Sequence, residues 1–275
     1  MNISLAAEPI FHILSFPVTN SLFVAWIVVA ILVILAILIK RSIVEVPRGI
    51  QNVAEALVEV MLSYADSVTN DRKMSLRFLP MVGSIFFFVL LANWMGLLPG
   101  FGTIGLNEVE EGHVILVPFF RAASADLNFT IGLALVSVVT AQIYGMQTVG
   151  KLKYWGKFFV PPWKSPYFIG TFVGLLEFIS EFAKIISFSF RLFGNVFAGE
   201  VLLMAMGFLA PYLTPIPFMF LEIFVGVVQA TVFAMLSLVF FTIATQSHDE
   251  GGHEGHEEIA IGNSHRTDDR IGADL

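Results

Sequence analysis

The chain has 275 residues, of which 56% are hydrophobic and 13% charged, with 28 Phe and no Cys. Soluble domains carry about 25% charged residues, so a water-exposed globule, a nucleic-acid binder and a disordered chain are all disfavoured. Without cysteine there is no disulfide framework, zinc-thiolate site or thiol nucleophile. The formal net charge is -7, but residues 1–247 hold 13 basic and 14 acidic residues, so -6 of it falls in the last 28.

No Lys or Arg precedes Lys40. The N-terminus therefore lacks the basic region of a secretory or transit peptide, and the first apolar segment is expected to be retained. Residues 1–21 read as an external N-terminal segment, 22–247 as a membrane domain and 248–275 as an acidic tail. Leu22 to Ile39 is an unbroken apolar run of 18 residues, long enough to cross a hydrocarbon core of about 30 Å. Lys40, Arg41 and Arg48 close it, with Pro47 starting a new pattern.

From Gly49 to Thr69, Val53, Leu57, Val60, Met61, Tyr64 and Val68 recur at helical spacing, punctuated by Gln51, Glu55, Glu59 and Asp66. This pattern predicts an amphipathic helix on the membrane surface; periodicity alone also allows a soluble linker helix. Asn70 to Arg77 reads as a polar joint, and Phe78 to Leu98 as the second span. A glycine-rich loop follows Asn93, Gly96 and Pro99 and carries Glu108, Glu110 and Glu111. Leu127 to Gly150 is the third span, with Gln142 and Gln147 in its second half, and Lys151, Lys153, Lys157 and Lys164 lie beyond it around Pro161 and Pro162.

The pattern then changes. Pro166 to Ala210 is apolar yet holds Glu177, Glu181, Lys184, Arg191 and Glu200; Pro211, Pro215 and Pro217 make a turn, and Phe218 to Gln246 continues with Glu222 and Gln229. Forty-five helical residues would reach roughly 67 Å, more than twice the hydrocarbon thickness. A steeply tilted helical hairpin bent at the prolines accommodates that length, and a kink within the segment is the competing expectation. The fold class is thus an all-α polytopic bundle of upright spans, one interfacial helix and a tilted hairpin. The joints after the first and third spans hold ten Lys and Arg, whereas the loop after the second holds only Arg121. The positive-inside rule places the N-terminus outside.

An ionisable group inside hydrocarbon costs about 2.5–3.5 kcal/mol on insertion scales, so the charges of the fourth segment need an account. Pairing or snorkelling is the bland one. At about 100° per residue, with Arg191 at zero, Lys184, Glu177, Asn195, Ser180, Ser187 and Glu181 all fall on one side. Glu200 falls opposite. Glu222 and Gln229 share a face of the next segment. Two discontinuous polar paths result, with Arg191 between them. Arginine stays protonated in proteins, so Arg191 holds an anion and blocks direct leakage rather than relaying protons. Glu181 and Glu177 are about 15 and 21 Å away along the helix, so its partner is expected on another subunit. Glu200 and Glu222 are a candidate carboxylate pair across the hairpin. Gly194 with Ala198, and Gly226 with Ala230, are candidates for close helix approach, although generic packing explains them equally.

Ser189-Phe190-Arg191-Leu192-Phe193-Gly194-Asn195-Val196-Phe197-Ala198-Gly199-Glu200 resembles the R-L-F-G-N-x-x-A-G-E motif of subunit a of rotary F-type ATP synthases. The likeness extends through Leu176-Glu177, Ser180, Lys184 and Ser187 and through Val228-Gln229-Ala230. Asn93-Trp94-Met95-Gly96-Leu97-Leu98-Pro99 is similar to the family's N-x-x-G-L-x-P pattern. The resemblance covers about residues 20 to 247. It implies that Arg191 is the essential charge facing the c-subunit ring and its ion-carrying carboxylate. It also implies that Asn195, Glu200, Glu222 and Gln229 line an outer half-channel, and that Glu177, Ser180 and Lys184 border the inner exit. Where some members carry Asp this chain has Gly96, which relays no proton, and where some carry His it has Glu222. The implied setting is a multi-pass protein of an energy-transducing membrane, most simply a bacterial inner membrane, with the b-subunit peripheral stalk, the remaining synthase subunits and lipid as partners. No cofactor, metal or nucleic acid is implied. The chain has no G-x-x-x-x-G-K-[ST] loop, so nucleotide chemistry belongs elsewhere.

His248, His253 and His256 in the tail are weak metal ligands in an acidic segment of a kind usually solvated, and His12 and His113 receive no role. A secondary transporter would need related halves or a solute pocket, and no convincing repeat is present. A purely structural membrane anchor leaves the Arg191 stripe unexplained.

Overall fold

The computed structural model describes residues 7–13, 16–41, 43–44, 49–98, 104–110, 113–156, 169–209 and 215–246. The acidic tail with His248, His253 and His256, the joint with Lys157, Pro161, Pro162 and Lys164, and Pro47, Arg48, Pro99, Glu111 and Pro211 lie outside the described residues. So do the side chains of His12 and His113.

In chain order the elements are a hairpin of β1 (Pro9–Ile13) and β2 (Phe16–Thr19), α1 (Asn20–Arg41), α2 (Ile50–Thr69) and α3 (Arg72–Met95). A second hairpin of β3 (Gly105–Glu110) and β4 (His113–Pro118) leads to a 3-10 turn at Ala123–Ala125. Then come α4 (Leu127–Val149), α5 (Lys151–Gly156), α6 (Ile169–Leu209) and α7 (Pro215–Thr245). Helices α1, α3, α4, α6 and α7 are each long and apolar enough to cross a membrane. The chain is a helical bundle, as its apolar runs require.

Local chemistry sets the boundaries. Residues 72–77, expected as a polar joint, instead form the first turns of α3, because Asp71 caps the helix by accepting from the Lys73 amide at 2.8 Å. That bond satisfies one of the amides a helix start leaves open. Asn70 ends α2 in the left-handed conformation (φ 52°), which asparagine tolerates better than most residues. The nearby Ser75 hydroxyl, and then the Arg72 guanidinium paired with Asp66, hold the Asp66 carboxyl below its usual range. Pro215 opens α7, where its missing amide proton costs nothing. The two β-hairpins and the short α5 are additions to the elements expected from sequence.

Cross-helix contacts fix the directions. Pairs Asn195–Gln229, Phe188–Phe233 and Lys184–Phe240 run in opposite order along α6 and α7, so the two form an antiparallel hairpin. Asn93 meets Gly226 while Phe78 meets Phe241, so α3 is also antiparallel to α7. Thr130–Ser189 joins α4 to α6 at 3.0 Å, and Ser137–Ser237 joins α4 to α7 at 2.7 Å. One end of the bundle therefore gathers the start of α3, the end of α4, α5 and the end of α7; this is the lysine end. The hairpin end gathers the starts of α1 and α4, the end of α3 and the start of α7. Met61, Ala65 and Val68 of α2 pack on α3 and α7 near the lysine end, while Val53, Val60 and Tyr64 remain exposed.

The small residues do not act as a matched α6–α7 seam. Gly194 is exposed, with nothing near where a Cβ would stand, and Gly226 faces Asn93 and Trp94 of α3. The hairpin core is instead built by Phe188, Leu192 and Val196 against Ala230 and Phe233, with Ile85, Val89 and Ala134 behind them.

Candidate functional site

Helix α6 runs unbroken for 41 residues, so it carries side chains from one end of the bundle to the other. Its buried side faces α4 and α7. Its outward side exposes Ser187, Phe190, Arg191, Gly194, Asn195 and Ala198. Arg191 forms no ion pair with any described residue, leaving a permanent charge on an apolar surface without a counter-charge among the described residues. Small residues one turn beyond it allow another helix to approach closely.

Toward the hairpin end, Asn195 donates to the Gln229 carbonyl oxygen at 2.7 Å, joining the α6 stripe to a buried residue of α7. One turn earlier on α7, the Gly226 carbonyl accepts from Asn93 at 3.4 Å, and the Ile223 carbonyl accepts from Trp94 at 3.3 Å. The Glu222 carboxylate lies against Gly199, where a Cβ would overlap it. Only glycine leaves it that space. Its neighbour Glu200 faces Arg121, with Nε and Oε2 separated by 3.5 Å. No hydrogen bond joins Glu200 to Glu222; Glu200 faces the Arg121 guanidinium, while the Glu222 carboxylate lies against the neighbouring Gly199. Gln229 Nε2, Asn93 Oδ1 and Ser124 Oγ are buried without a hydrogen-bonding partner among the described residues. Buried polar atoms rarely stay unsatisfied, and three at one end of the bundle mark a polar path suited to hydration.

At the lysine end, α4, α5, α6 and α7 enclose a cavity of about 30 Å³, room for a water or two. Gln142, Tyr154, Glu177, Glu181, Lys184 and Phe240 line it. Lys184 donates to Glu181 at 2.7 Å, three residues away, and its ammonium lies 5.0 Å from the Phe240 ring centre. The Tyr154 hydroxyl donates to Gln142 at 2.6 Å. Burial, and then the charges of Glu181 and Glu177, push the Tyr154 phenol up to about 12. Ser180 is exposed on the outward side of α6 and is not part of the cavity lining. Between this cavity and the polar path at the hairpin end stands the Phe188, Leu192, Val196, Ala230 and Phe233 layer.

The structure thus groups Asn195 and Gln229, sets Glu200 and Glu222 on adjoining turns, and puts Glu177 with Lys184, with Arg191 apart on the outer face. It adds Asn93, Arg121, Gln142, Tyr154 and Glu181. Arg121 is visible in the sequence as the lone basic residue of its loop and Gln142 as polarity inside a span. Tyr154 carries no such signal, being one aromatic in a lysine-rich joint.

The sequence matches the ATP synthase A chain family over residues 22–242. It is 33% identical to the ATP synthase subunit a of Campylobacter hominis over 225 residues, covering 82% of this chain and 88% of that one. Against the subunit a of Campylobacter concisus it is 32% identical over 224 residues, covering 80% and 88%. With that of Gloeobacter violaceus it shares 31% over 231 residues, covering 84% and 85%. A match of this extent, with five helices long and apolar enough to span a membrane among the described residues, means that the protein belongs to the ATP synthase A chain family, the subunit a of the F-type ATP synthase membrane sector.

Proposed function

We propose that this multi-pass subunit of the proton-translocating membrane sector provides two offset half-channels serving the carboxylates of a c-subunit ring. One observation carries the reading. Two polar sites sit toward opposite ends of α6, a buried apolar layer separates them, and Arg191 is exposed on the outward face beside that layer. Apart from the Thr130–Ser189 and Ser137–Ser237 hydroxyl pairs, the described side chains between the two sites are mainly apolar, which disfavours a direct proton route from one to the other. A proton entering at one end therefore leaves on a carrier that moves past the exposed face.

In this mechanism the outer path runs by Glu200 and Glu222 to Gln229 and Asn195, and delivers a proton to a rotor carboxylate. The neutralised carboxylate travels with the ring through lipid. On reaching the cavity side it releases its proton toward Glu177, Glu181 and Lys184, with Ser180 on the rotor-facing surface nearby. Arg191 then engages the newly charged carboxylate and prevents a proton from short-circuiting the two paths. Proton-motive force becomes rotation, and nucleotide chemistry occurs on other subunits. A b-subunit stalk would hold this chain against the torque.

The lengths of α6 and α7, about 61 and 46 Å at 1.5 Å per residue, exceed a 30 Å hydrocarbon core. They are therefore placed at a steep tilt against the ring. Helix α2, apolar on its exposed side too, lies at the membrane surface on the basic side. The basic residues around the first and third spans favour an outside N-terminus under the positive-inside rule, and the bacterial relatives favour an inner membrane.

The test is proton flux through the assembled complex with Glu200→Gln and Glu222→Gln combined. Flux should fall several-fold or more with assembly intact. Wild-type flux would count against an outer carboxylate path.

A further inference from the structure

Tyr154 has an unusual position for a residue of a loop-side helix. It lies on a six-residue helix in the joint after α4, yet only 4% of its surface is exposed, whereas its neighbours Lys153, Trp155 and Gly156 are exposed. Its ring fills the notch left by Gly145 on α4. A Cβ at Gly145 would overlap that ring and approach the Ala244 carbonyl of α7 at 2.6 Å. Three helices thus meet at one aromatic plug, and the plug forms a wall of the polar cavity.

The hydroxyl has a separate part. It donates to Gln142 Oε1 at 2.6 Å. That bond fixes which end of the amide is the oxygen, and leaves the NH2 group as the donor end. Among the described residues the charged groups at the cavity are Glu177, Glu181 and Lys184, all from α6; α4 contributes Gln142, and α7 contributes apolar side chains. Lys184 is engaged with Glu181. An amide donor in the same cavity can hydrogen-bond an anionic acceptor there, and a bond of that kind is stronger to a charged acceptor than to a neutral one.

We propose that Tyr154 is a positioning residue of the inner proton path: its ring closes the cavity on the side of α5, and its hydroxyl holds Gln142 as a donor toward that space. The proposal rests on the reading of the Glu177 cavity as the inner exit. Proton release from a rotor carboxylate then meets a small, enclosed acceptor site of fixed polarity. The phenol stays protonated throughout the working range, so it holds the site without itself accepting or losing a proton.

The ring and the hydroxyl can be tested separately in the assembled complex. This chain has no cysteine, so Ala141→Cys, on the buried wall of the cavity, gives a single thiol to follow in this subunit with a small water-soluble maleimide or methanethiosulfonate applied from the lysine-rich side. Tyr154→Ala should raise its labelling rate at least about tenfold, and Tyr154→Phe, which keeps the ring, should leave it slow. In complexes without the added cysteine, Tyr154→Phe should move the pH midpoint of ATP-driven proton transport upward by about half a unit, the size expected for losing one hydrogen bond from a proton-accepting site. Equal labelling with Tyr154 intact and with Tyr154→Ala would overturn the closure. Fast labelling in Tyr154→Ala together with an unmoved pH profile in Tyr154→Phe would overturn the positioning role. Glu177→Gln with Glu181→Gln separates that failure from failure of the inner-path reading itself: undiminished transport there would indict the path and not only Tyr154.

Discussion

Arg121 Nε stands 3.5 Å from Glu200 Oε2, linking the strand-to-helix loop ahead of α4 to a residue of α6 that follows it by 79 positions. Arg121 is almost fully buried and Glu200 keeps 28% of its side-chain surface. The pair places a fixed cation at the polar path of the hairpin end, next to the turn of α6 that accommodates Glu222.

Removing one member of a buried ion pair strands the other charge, which typically costs about 3–5 kcal/mol. Because Glu200 retains some exposure, Arg121→Gln should cost about 2–3 kcal/mol. Adding Glu200→Gln should recover much of the loss. Thermal unfolding of the purified membrane sector across the four variants gives the coupling energy directly; strictly additive losses would mean that the two side chains act independently.

Gly199 is needed for space, since a Cβ there would overlap the Glu222 carboxylate. Gly199→Ala should displace that carboxylate and reduce proton flux about tenfold or more, as small misplacements at a reacting site do. Gly132→Ala on α4, with nothing within 4 Å of its added Cβ, should leave flux unchanged and serves as the control. Equal flux in both variants would show that Glu222 is free to move without consequence.

The phenol of Tyr154 gives a pH dependence with a definite sign. Its native value is raised from 10.0 to about 12, so the folded state binds the proton more tightly than the unfolded state does. The stabilisation is present below pH 10 and is lost as pH rises from 10 through about 12. Alkaline melting curves should therefore fall more steeply for the parent chain than for Tyr154→Phe over that interval. Parallel curves would contradict the burial of the phenol beside Glu177 and Glu181.

The spans are legible because hydrocarbon demands long apolar runs: the third reads as Leu127 to Gly150, and α4 is Leu127–Val149. The α6 stripe is legible because angular position follows from helical pitch, which puts Arg191 and Asn195 on one exposed side. The start of α3 is not, because six polar residues resemble a joint unless the Asp71 cap is given its due. Pairings between distant segments are hidden for a different reason. Nothing local ties Arg121 to Glu200 or Tyr154 to Gln142, and a lone arginine in a loop reads first as a topology signal. The small residues mislead in the opposite direction: Gly226 packs on α3, while Gly194 is left on the face where Arg191 is exposed.

In the proposed mechanism Arg191, exposed beside the apolar layer between the two polar sites, couples proton passage to rotor movement. The direct measurement is ATP-driven proton pumping by a complex carrying Arg191→Ala, with assembly verified in the same membranes. Assembly should be normal and pumping reduced to background. Unchanged pumping in an assembled complex would contradict it.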